Sequence, residues 1–144
     1  MATLLYVDYD KAAQRLIQTT LGKQYNIVIA ADGPTAIQYC AMIQPDLILV
    51  DLALPDIDGH ELVSRLKMFM PQTPILVISN DDFERDKPQD FITNSDGFLT
   101  KPIQTDALLQ SVHALLPRSL NFLTFLLPCR MIKLSSNLRS RLPL

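Results

Sequence analysis

Short apolar runs alternate with amphipathic segments over most of this 144-residue chain, and no other sequence feature restricts its fold as strongly. Two of the runs, Leu47–Val50 and Ile75–Ile78, are continuously apolar, which is typical of strands buried on both faces of a sheet. Strands that alternate with helical segments indicate βα units around a parallel sheet. We therefore predict an α/β domain with strands at Leu4–Val7, Tyr25–Ala30, Leu47–Val50, Ile75–Ile78 and Gly97–Leu99.

Five helices are expected to follow the five strands. Asp10 is placed to cap a first helix that runs through Leu21, with Gly22 beyond its end. Further helices are predicted at Thr35–Ile43, Asp58–Met68 and Thr105–Leu115, and the first of these three should bury Ala36, Ile37, Cys40 and Ala41. Five βα units give an open, doubly wound sheet, which places functional groups at the carboxyl ends of its strands.

The helix between the last two strands is the least well specified. Its segment, DDFERDKPQDFITN, contains Pro88, and a proline in a helix interior costs about 3 kcal/mol. We expect a distorted or late-starting helix, with Pro88 in its first turn.

The distribution of charge separates a body from a tail. Residues 1–118 hold all fifteen acids and nine of the thirteen bases, a formal charge of −6, whereas residues 119–144 hold four bases and no acid. An acidic body does not suit direct binding of nucleic acid. The N-terminus has no basic region of a signal peptide, and no apolar stretch approaches the roughly 20 residues that span a bilayer. We therefore expect a cytoplasmic protein with one domain at 1–118 and a tail at 119–144.

Polar residues close four of the predicted strands. The first strand runs into Asp8, the third into Asp51, the fourth into Ser79, and the fifth into Lys101. Since the carboxyl ends of parallel strands meet at one edge of the sheet, these four side chains are expected to converge. Each alone is more commonly a cap or a solvated loop residue, but the four together favour a site. Two carboxylates can hold Mg²⁺, and an ammonium beside them can neutralise a phosphoryl group in transfer.

Four segments around these residues resemble the receiver domain of bacterial two-component response regulators. They are LLYVDYD (Leu4–Asp10), PDLILVDLALPDIDGHEL (Pro45–Leu62), ILVISN (Ile75–Asn80) and DGFLTKPI (Asp96–Ile103). The resemblance covers about residues 3–116, and the order and spacing of the motifs are close to the family pattern. It implies a flavodoxin-like sheet with the strand order 2-1-3-4-5.

The resemblance also implies roles for individual residues. Asp51 is the phospho-acceptor and receives the phosphoryl group from a histidine kinase or a phosphotransfer protein. Lys101 and Ser79 contact that group. Ser79 and Phe98 form a switch that changes the surface of the fourth helix, fifth strand and fifth helix for a downstream protein partner. Asp8, Asp51 and the backbone carbonyl of Ala53 hold Mg²⁺. Such a domain assists its own phosphorylation and hydrolysis but is not a turnover enzyme.

Tyr9 departs from the family pattern, which has a second acid at this position. A phenol is neutral at pH 7 and a poor Mg²⁺ ligand, so weak Mg²⁺ binding is expected. Asp10 is a weak candidate to replace the missing carboxylate, because capping of the first helix is its simpler role. The alternative function is a pseudo-receiver that binds a partner without phosphorylation. A second departure, Asn80, is bulkier than the small residue common there and is expected to narrow access to Asp51.

Other functional classes have less support in the sequence. A flavin carrier or an enzyme on the same architecture is disfavoured, because no glycine-rich phosphate-binding motif follows the first strand. His60 and His113 are interpreted as exposed structural residues rather than phospho-carriers or metal ligands. Cys40 and Cys129 show no metal-ligand spacing, and Cys40 is expected in the core.

The tail leaves three interpretations open. Its first part, SLNFLTFLLP, is almost wholly apolar and is suited to packing on the receiver, on a partner or on a second copy in a homodimer. Apolar anchors beside bases also suit contact with a membrane surface, which is the least favoured of the three. Leu, Ser and Arg make up fifteen of the 26 residues, and these have six codons each, so translation past a frameshift is the third interpretation.

Overall fold

Five parallel strands form one sheet, in the order β2-β1-β3-β4-β5, in the computed structural model, which describes residues 1–79 and 95–116. The strands are β1 (Thr3–Val7), β2 (Asn26–Ala30), β3 (Leu47–Asp51), β4 (Ile75–Ser79) and β5 (Gly97–Thr100). The helices of these residues are α1 (Lys11–Leu21), α2 (Gly33–Ile43), α3 (Gly59–Phe69) and α4 (Thr105–Leu115). The predicted fold class and strand order are confirmed. The predicted helix around Pro88 and the tail lie outside the described residues.

The core lies on both faces of the sheet. Every residue of β3 and β4 is buried, as their continuous apolar runs predict. Alternate residues of each strand contribute to opposite faces. One face packs Leu5, Val7, Ile48 and Val50 against α2 and α3, and the other packs Leu4, Tyr6, Leu47 and Leu49 against α1 and α4. None of the helices within the described ranges is long and apolar enough to cross a membrane.

Aspartate side chains cap the first three helices. Asp10 accepts a hydrogen bond from the Ala12 amide at the start of α1, as predicted. Asp32 caps α2, with Pro34 following in the first turn, so this helix begins at Gly33 rather than at the predicted Thr35. Asp58 is the cap of α3 rather than its first helical residue. A carboxylate that accepts an otherwise unpaired amide explains each of these boundaries.

The buried face of α2 differs in one residue from the prediction. Ala36 and Cys40 are buried and Ile37 packs against the core, but Ala41 is exposed. An alanine is compatible with either side of a helix, so the apolar pattern alone could not place the edge of this face.

Candidate functional site

Strand register brings the predicted polar residues to one edge of the sheet. Val7 pairs with Val50, so Asp8 and Asp51 are neighbours at the ends of β1 and β3. Asp51 pairs in turn with Ile78, the residue before Ser79. Asp8 is 0 % exposed, Asp51 is 2 % exposed and Ser79 is 3 % exposed. The three inner strands, β1, β3 and β4, therefore carry two buried acids and a buried hydroxyl side by side.

The carboxylate of Asp51 is held from two sides. Its Oδ1 accepts a hydrogen bond of 3.0 Å from the Ala53 amide, and its Oδ2 accepts one of 2.8 Å from Nζ of Lys101. The next residue, Leu52, donates its amide to the carbonyl of Ile78 at 3.1 Å, which extends the pairing of β3 with β4 past the strand end. These contacts give the Asp51 carboxylate a defined orientation.

Lys101 is the cation of the site. Its backbone amide donates to the carbonyl of Ser79 at 2.8 Å, which fixes the residue beyond β5 against the end of β4. Its Nζ lies 2.8 Å from Oδ2 of Asp51 and 3.7 Å from Oδ2 of Asp8. Burial alone would lower the pKa of Lys101, but the hydrogen bond to Asp51 and the charges of Asp51 and Asp8 outweigh it and raise the pKa. The ammonium therefore stays charged at neutral pH.

Asp8 is surrounded by donors although it is fully buried. Its Oδ1 accepts a hydrogen bond of 2.9 Å from the amide of Asp10, and its Oδ2 accepts one from the hydroxyl of Tyr6. Nε2 of Gln14, on α1, donates to the backbone carbonyl of Asp8 at 2.6 Å. Burial raises the pKa of Asp8, and the nearby Asp51 charge adds to the rise, while the hydrogen bonds and Lys101 oppose it.

Tyr9 and Asp10 follow Asp8 but lie outside the buried cluster. The side chain of Tyr9 is 53 % exposed, so the position of the missing acid holds a phenol directed largely to solvent. Asp10 is exposed, and its Oδ1 accepts the Ala12 amide at 3.0 Å, which is the capping contact of α1. The assignment of Asp10 as a metal ligand stays a prediction.

Ser79 and Phe98 share one face of the sheet. Phe98 pairs with Val77 in the parallel register of β4 and β5, and Ser79 lies two residues beyond Val77 on the same side. Phe98 is partly buried against the core on the α2 and α3 face. A displacement of Ser79 toward Asp51 would therefore change how the Phe98 side chain packs.

The donor set fits a hard divalent cation held by two acids. Asp8 and Asp51 place two buried carboxylates next to one another, and the ammonium of Lys101 lies within 4 Å of both, so this point of the structure accommodates positive charge. Among residues 1–79 and 95–116, however, no group of three or more His, Cys, Asp or Glu side chains could hold a metal. A third acid, which a receiver usually has at the position of Tyr9, is therefore missing from this set.

Sequence reasoning missed two residues of the site, Tyr6 and Gln14. Tyr6 was interpreted only as part of the apolar run of β1, although its spacing of two from Asp8 puts both side chains on one face of the strand. Gln14 falls on the buried face of α1 among apolar residues, and a buried amide in such a position was a signal that it has a polar partner.

Both histidines lie on helices rather than at the ends of strands. His113 is exposed on α4, as expected. His60 is partly buried rather than exposed; it is the second residue of α3, and its amide donates to Oδ1 of Asp58. Asn80 and Cys129 lie outside the described residues.

The part of the chain that resembles known proteins is close to the part that forms the sheet and its helices. The sequence profile of the response regulator receiver domain matches residues 4–113. The cell cycle response regulator CtrA of Brucella ovis is 31 % identical over 119 residues, which are 83 % of this chain and 51 % of CtrA. The chain thus spans about half the length of the curated relatives it matches.

Solved structures show the same architecture. The chemotaxis protein CheY4 of Vibrio cholerae is 28 % identical, with a TM-score of 0.75, over 81 % of this chain and 99 % of CheY4. A response regulator from Chloroflexus aurantiacus is 29 % identical, with a TM-score of 0.73, over 79 % of this chain and 96 % of that one.

Proposed function

Because the chain belongs to the response regulator receiver domain family, we propose that Asp51 accepts a phosphoryl group from a histidine kinase or a phosphotransfer protein. The observation that carries the proposal is the contact of 2.8 Å between Oδ2 of Asp51, buried at the end of β3, and Nζ of Lys101. When a buried carboxylate takes up a phosphoryl group, the site gains negative charge. An ammonium held beside that carboxylate neutralises part of the added charge.

The reaction moves one phosphoryl group. A carboxylate oxygen of Asp51 forms a bond to phosphorus, the bond from phosphorus to the donor nitrogen breaks, and that nitrogen leaves with the electron pair. The product is an acyl phosphate on Asp51. Lys101 balances the charge on the transferred oxygens, and the Ser79 hydroxyl donates to one of them after transfer. The protein assists this exchange and the later hydrolysis, and it has no substrate to turn over.

Mg²⁺ is the cofactor that the acids suit. Asp8, Asp51 and the backbone carbonyl of Ala53 would hold it, with water in the remaining positions. When bound, the ion neutralises charge on the phosphoryl oxygens. Because Tyr9 supplies no carboxylate, the affinity should be lower than in a receiver that has both acids.

The output is a change of protein-binding surface. Ser79 is drawn toward the new anion, and Phe98, on the same face of the sheet, repacks inward. The surface of β5 and α4 then differs between the two states, and a downstream protein partner distinguishes them. We propose protein rather than nucleic acid as this partner, in keeping with the acidic charge of residues 1–118.

A pseudo-receiver is the second candidate, favoured by Tyr9. The exposed phenol beside Asp8 leaves the site with two acids, and such a domain would bind its partner without phosphorylation. Lys101 already compensates both carboxylates in this arrangement.

One experiment separates the two candidates. The protein is incubated with acetyl phosphate and Mg²⁺, and with a phosphorylated histidine phosphotransfer domain, and its intact mass is measured. We expect one phosphoryl adduct, which is lost in Asp51→Asn and kept in Asp56→Asn, a matched change of an exposed aspartate five residues away. An adduct that survives Asp51→Asn would refute the assignment. Wild-type protein that forms no adduct with either donor would establish the pseudo-receiver.

A further inference from the structure

Tyr6 places a polar group in an otherwise apolar layer. Its side chain is fully buried among the leucines and isoleucines of the α1 and α4 face. The ring belongs to this core, but the hydroxyl reaches the strand end and donates to Oδ2 of Asp8. Tyr6 and Asp8 can meet because residues two apart lie on the same face of a strand.

The oxygen that Tyr6 binds is also the one nearest to the cation. Nζ of Lys101 lies 3.7 Å from Oδ2 of Asp8 and 2.8 Å from Oδ2 of Asp51. Two buried carboxylates thus face one ammonium, and only one of them is within hydrogen-bond distance. Asp8 does not receive a hydrogen bond from Lys101, and the hydroxyl of Tyr6 donates one to it instead.

We propose that Tyr6 is a positioning residue of the phosphorylation site, whose hydroxyl satisfies Asp8 and thereby leaves Lys101 paired with Asp51. The role rests on the proposed function, because it matters only if Asp51 is the acceptor. Tyr6 does not contact the reacting atoms and acts through Asp8 and Lys101.

The physical reason is the demand of a buried charge for donors. A buried carboxylate that loses a hydrogen bond is left partly unsatisfied, which is costly in a poorly solvated place. Lys101 is the donor that can replace the hydroxyl. Its Nζ lies 3.7 Å from Oδ2 of Asp8, so a movement of roughly 1 Å would bring it within hydrogen-bond distance. Any such movement lengthens its contact with Asp51.

The phenol is suited to a permanent donor role. Burial raises the pKa of Tyr6 far above its ordinary value, and the hydrogen bond to Asp8 and the charge of Asp8 raise it further. The geometry at neutral pH is that of a phenol hydroxyl donating to Oδ2 of Asp8.

A purely structural role for Tyr6 makes different predictions, and Tyr25 provides the matched control. Tyr25 belongs to the same core layer, it is 9 % exposed, and burial alone accounts for the rise of its pKa. Tyr6→Phe and Tyr25→Phe each remove one hydroxyl from a tyrosine of this core layer and keep the ring. Only the first removes a donor to the site.

The test measures Lys101 directly and then the reaction. Lysine side-chain ammonium signals are recorded by ¹H–¹⁵N NMR, with Lys101 assigned by its loss in Lys101→Arg, and the rate of Asp51 phosphorylation by acetyl phosphate is measured by intact mass. We expect Tyr6→Phe to shift the Lys101 signal and to lower the rate about three- to tenfold, the range that corresponds to the net contribution of one typical hydrogen bond. Tyr25→Phe should change neither.

A double-mutant cycle shows whether Tyr6 acts through Asp8. In an Asp8→Asn background the carboxylate no longer attracts Lys101, so Tyr6→Phe should leave the Lys101 signal unchanged. A Lys101 signal that is the same in wild type and Tyr6→Phe would overturn the proposal, as would an equal shift with and without Asp8→Asn. The NMR result stands even if Asp51 accepts no phosphoryl group, so failure of this inference is distinguishable from failure of the proposed function.

Discussion

Gly59 is the residue at which a single methyl group should do the most damage to the site. It is the first residue of α3, and a Cβ added to it would lie 2.5 Å from Cα of Leu52, 2.6 Å from its carbonyl oxygen and 2.9 Å from its carbonyl carbon. All three atoms are backbone and cannot turn aside. Leu52 itself directly follows Asp51 and is hydrogen-bonded to Ile78, so its displacement disturbs the end of β3.

The expected loss of stability in Gly59→Ala follows from two opposing effects. Overpacking against rigid atoms costs about 1–3 kcal/mol, while replacing glycine in the unfolded chain restores about 0.4–1 kcal/mol. The net loss is about 1–2 kcal/mol, or a fall of about 4–8 °C in the unfolding midpoint for a domain of this size. Phosphorylation of Asp51 should slow as well, because the clash displaces its neighbour.

Thermal unfolding followed by circular dichroism measures this effect, with Gly97→Ala as the control. A Cβ at Gly97 would lie 3.0 Å from Cδ1 of Leu115 and 3.1 Å from Cδ1 of Leu76, which are the ends of side chains that can rotate away. Its midpoint should therefore fall less. A Gly59→Ala protein that melts at or above the wild-type temperature, or above Gly97→Ala, would refute the reasoning.

Three further predictions concern the acids and the tail. Because burial raises the folded-state pKa of Asp8, the native state loses stability as pH rises through that pKa. Asp8→Asn should therefore be more stable than wild type at neutral pH. Urea unfolding should show that this difference in stability vanishes below pH about 4, the ordinary pKa of aspartate. Tyr9→Asp should bind Mg²⁺ more tightly by about 1–3 kcal/mol, for one restored charged contact, and equal affinities in calorimetry would mean that Asp10 or water already fills the position. Truncation after Arg118 should leave a cooperatively folding domain and lower the association state in light scattering, whereas loss of folding would place the tail in the core.

The fold was predictable because each strand is marked by its own residues. Leu47–Val50 and Ile75–Ile78 have no polar position, and short runs of this kind are typical of a strand covered on both sides. Helix starts were less certain. Thr35 and Asp32 are both good capping residues, and the choice of Asp32 depends on how its carboxylate meets the Thr35 amide.

The convergence of the strand-end residues was predictable, but the contacts among them were not. Parallel strands align Asp8, Asp51, Ser79 and Lys101 at one edge whatever the side chains are. Lys101 lies 2.8 Å from Asp51 and 3.7 Å from Asp8, a difference of about an ångström that we attribute to the hydrogen bond from Tyr6 to Asp8. An apolar run does not predict that role for Tyr6. Alternation along a strand predicts which face of the sheet a side chain lies on, but not which neighbouring group its terminal atom contacts.

The sheet divides the site into an inner and an outer half. Asp51 and Ser79 end strands of which every residue is buried, whereas Lys101 follows β5, the last strand in the sheet order, in which three residues are partly exposed and one is exposed. Asp51, the proposed acceptor, therefore ends a fully buried strand, and the Lys101 ammonium that pairs with it follows a partly exposed strand at the margin of the sheet. If Asp51 is phosphorylated as proposed, we expect the resulting movement to be larger around Lys101 and β5 than in the buried strands β3 and β4.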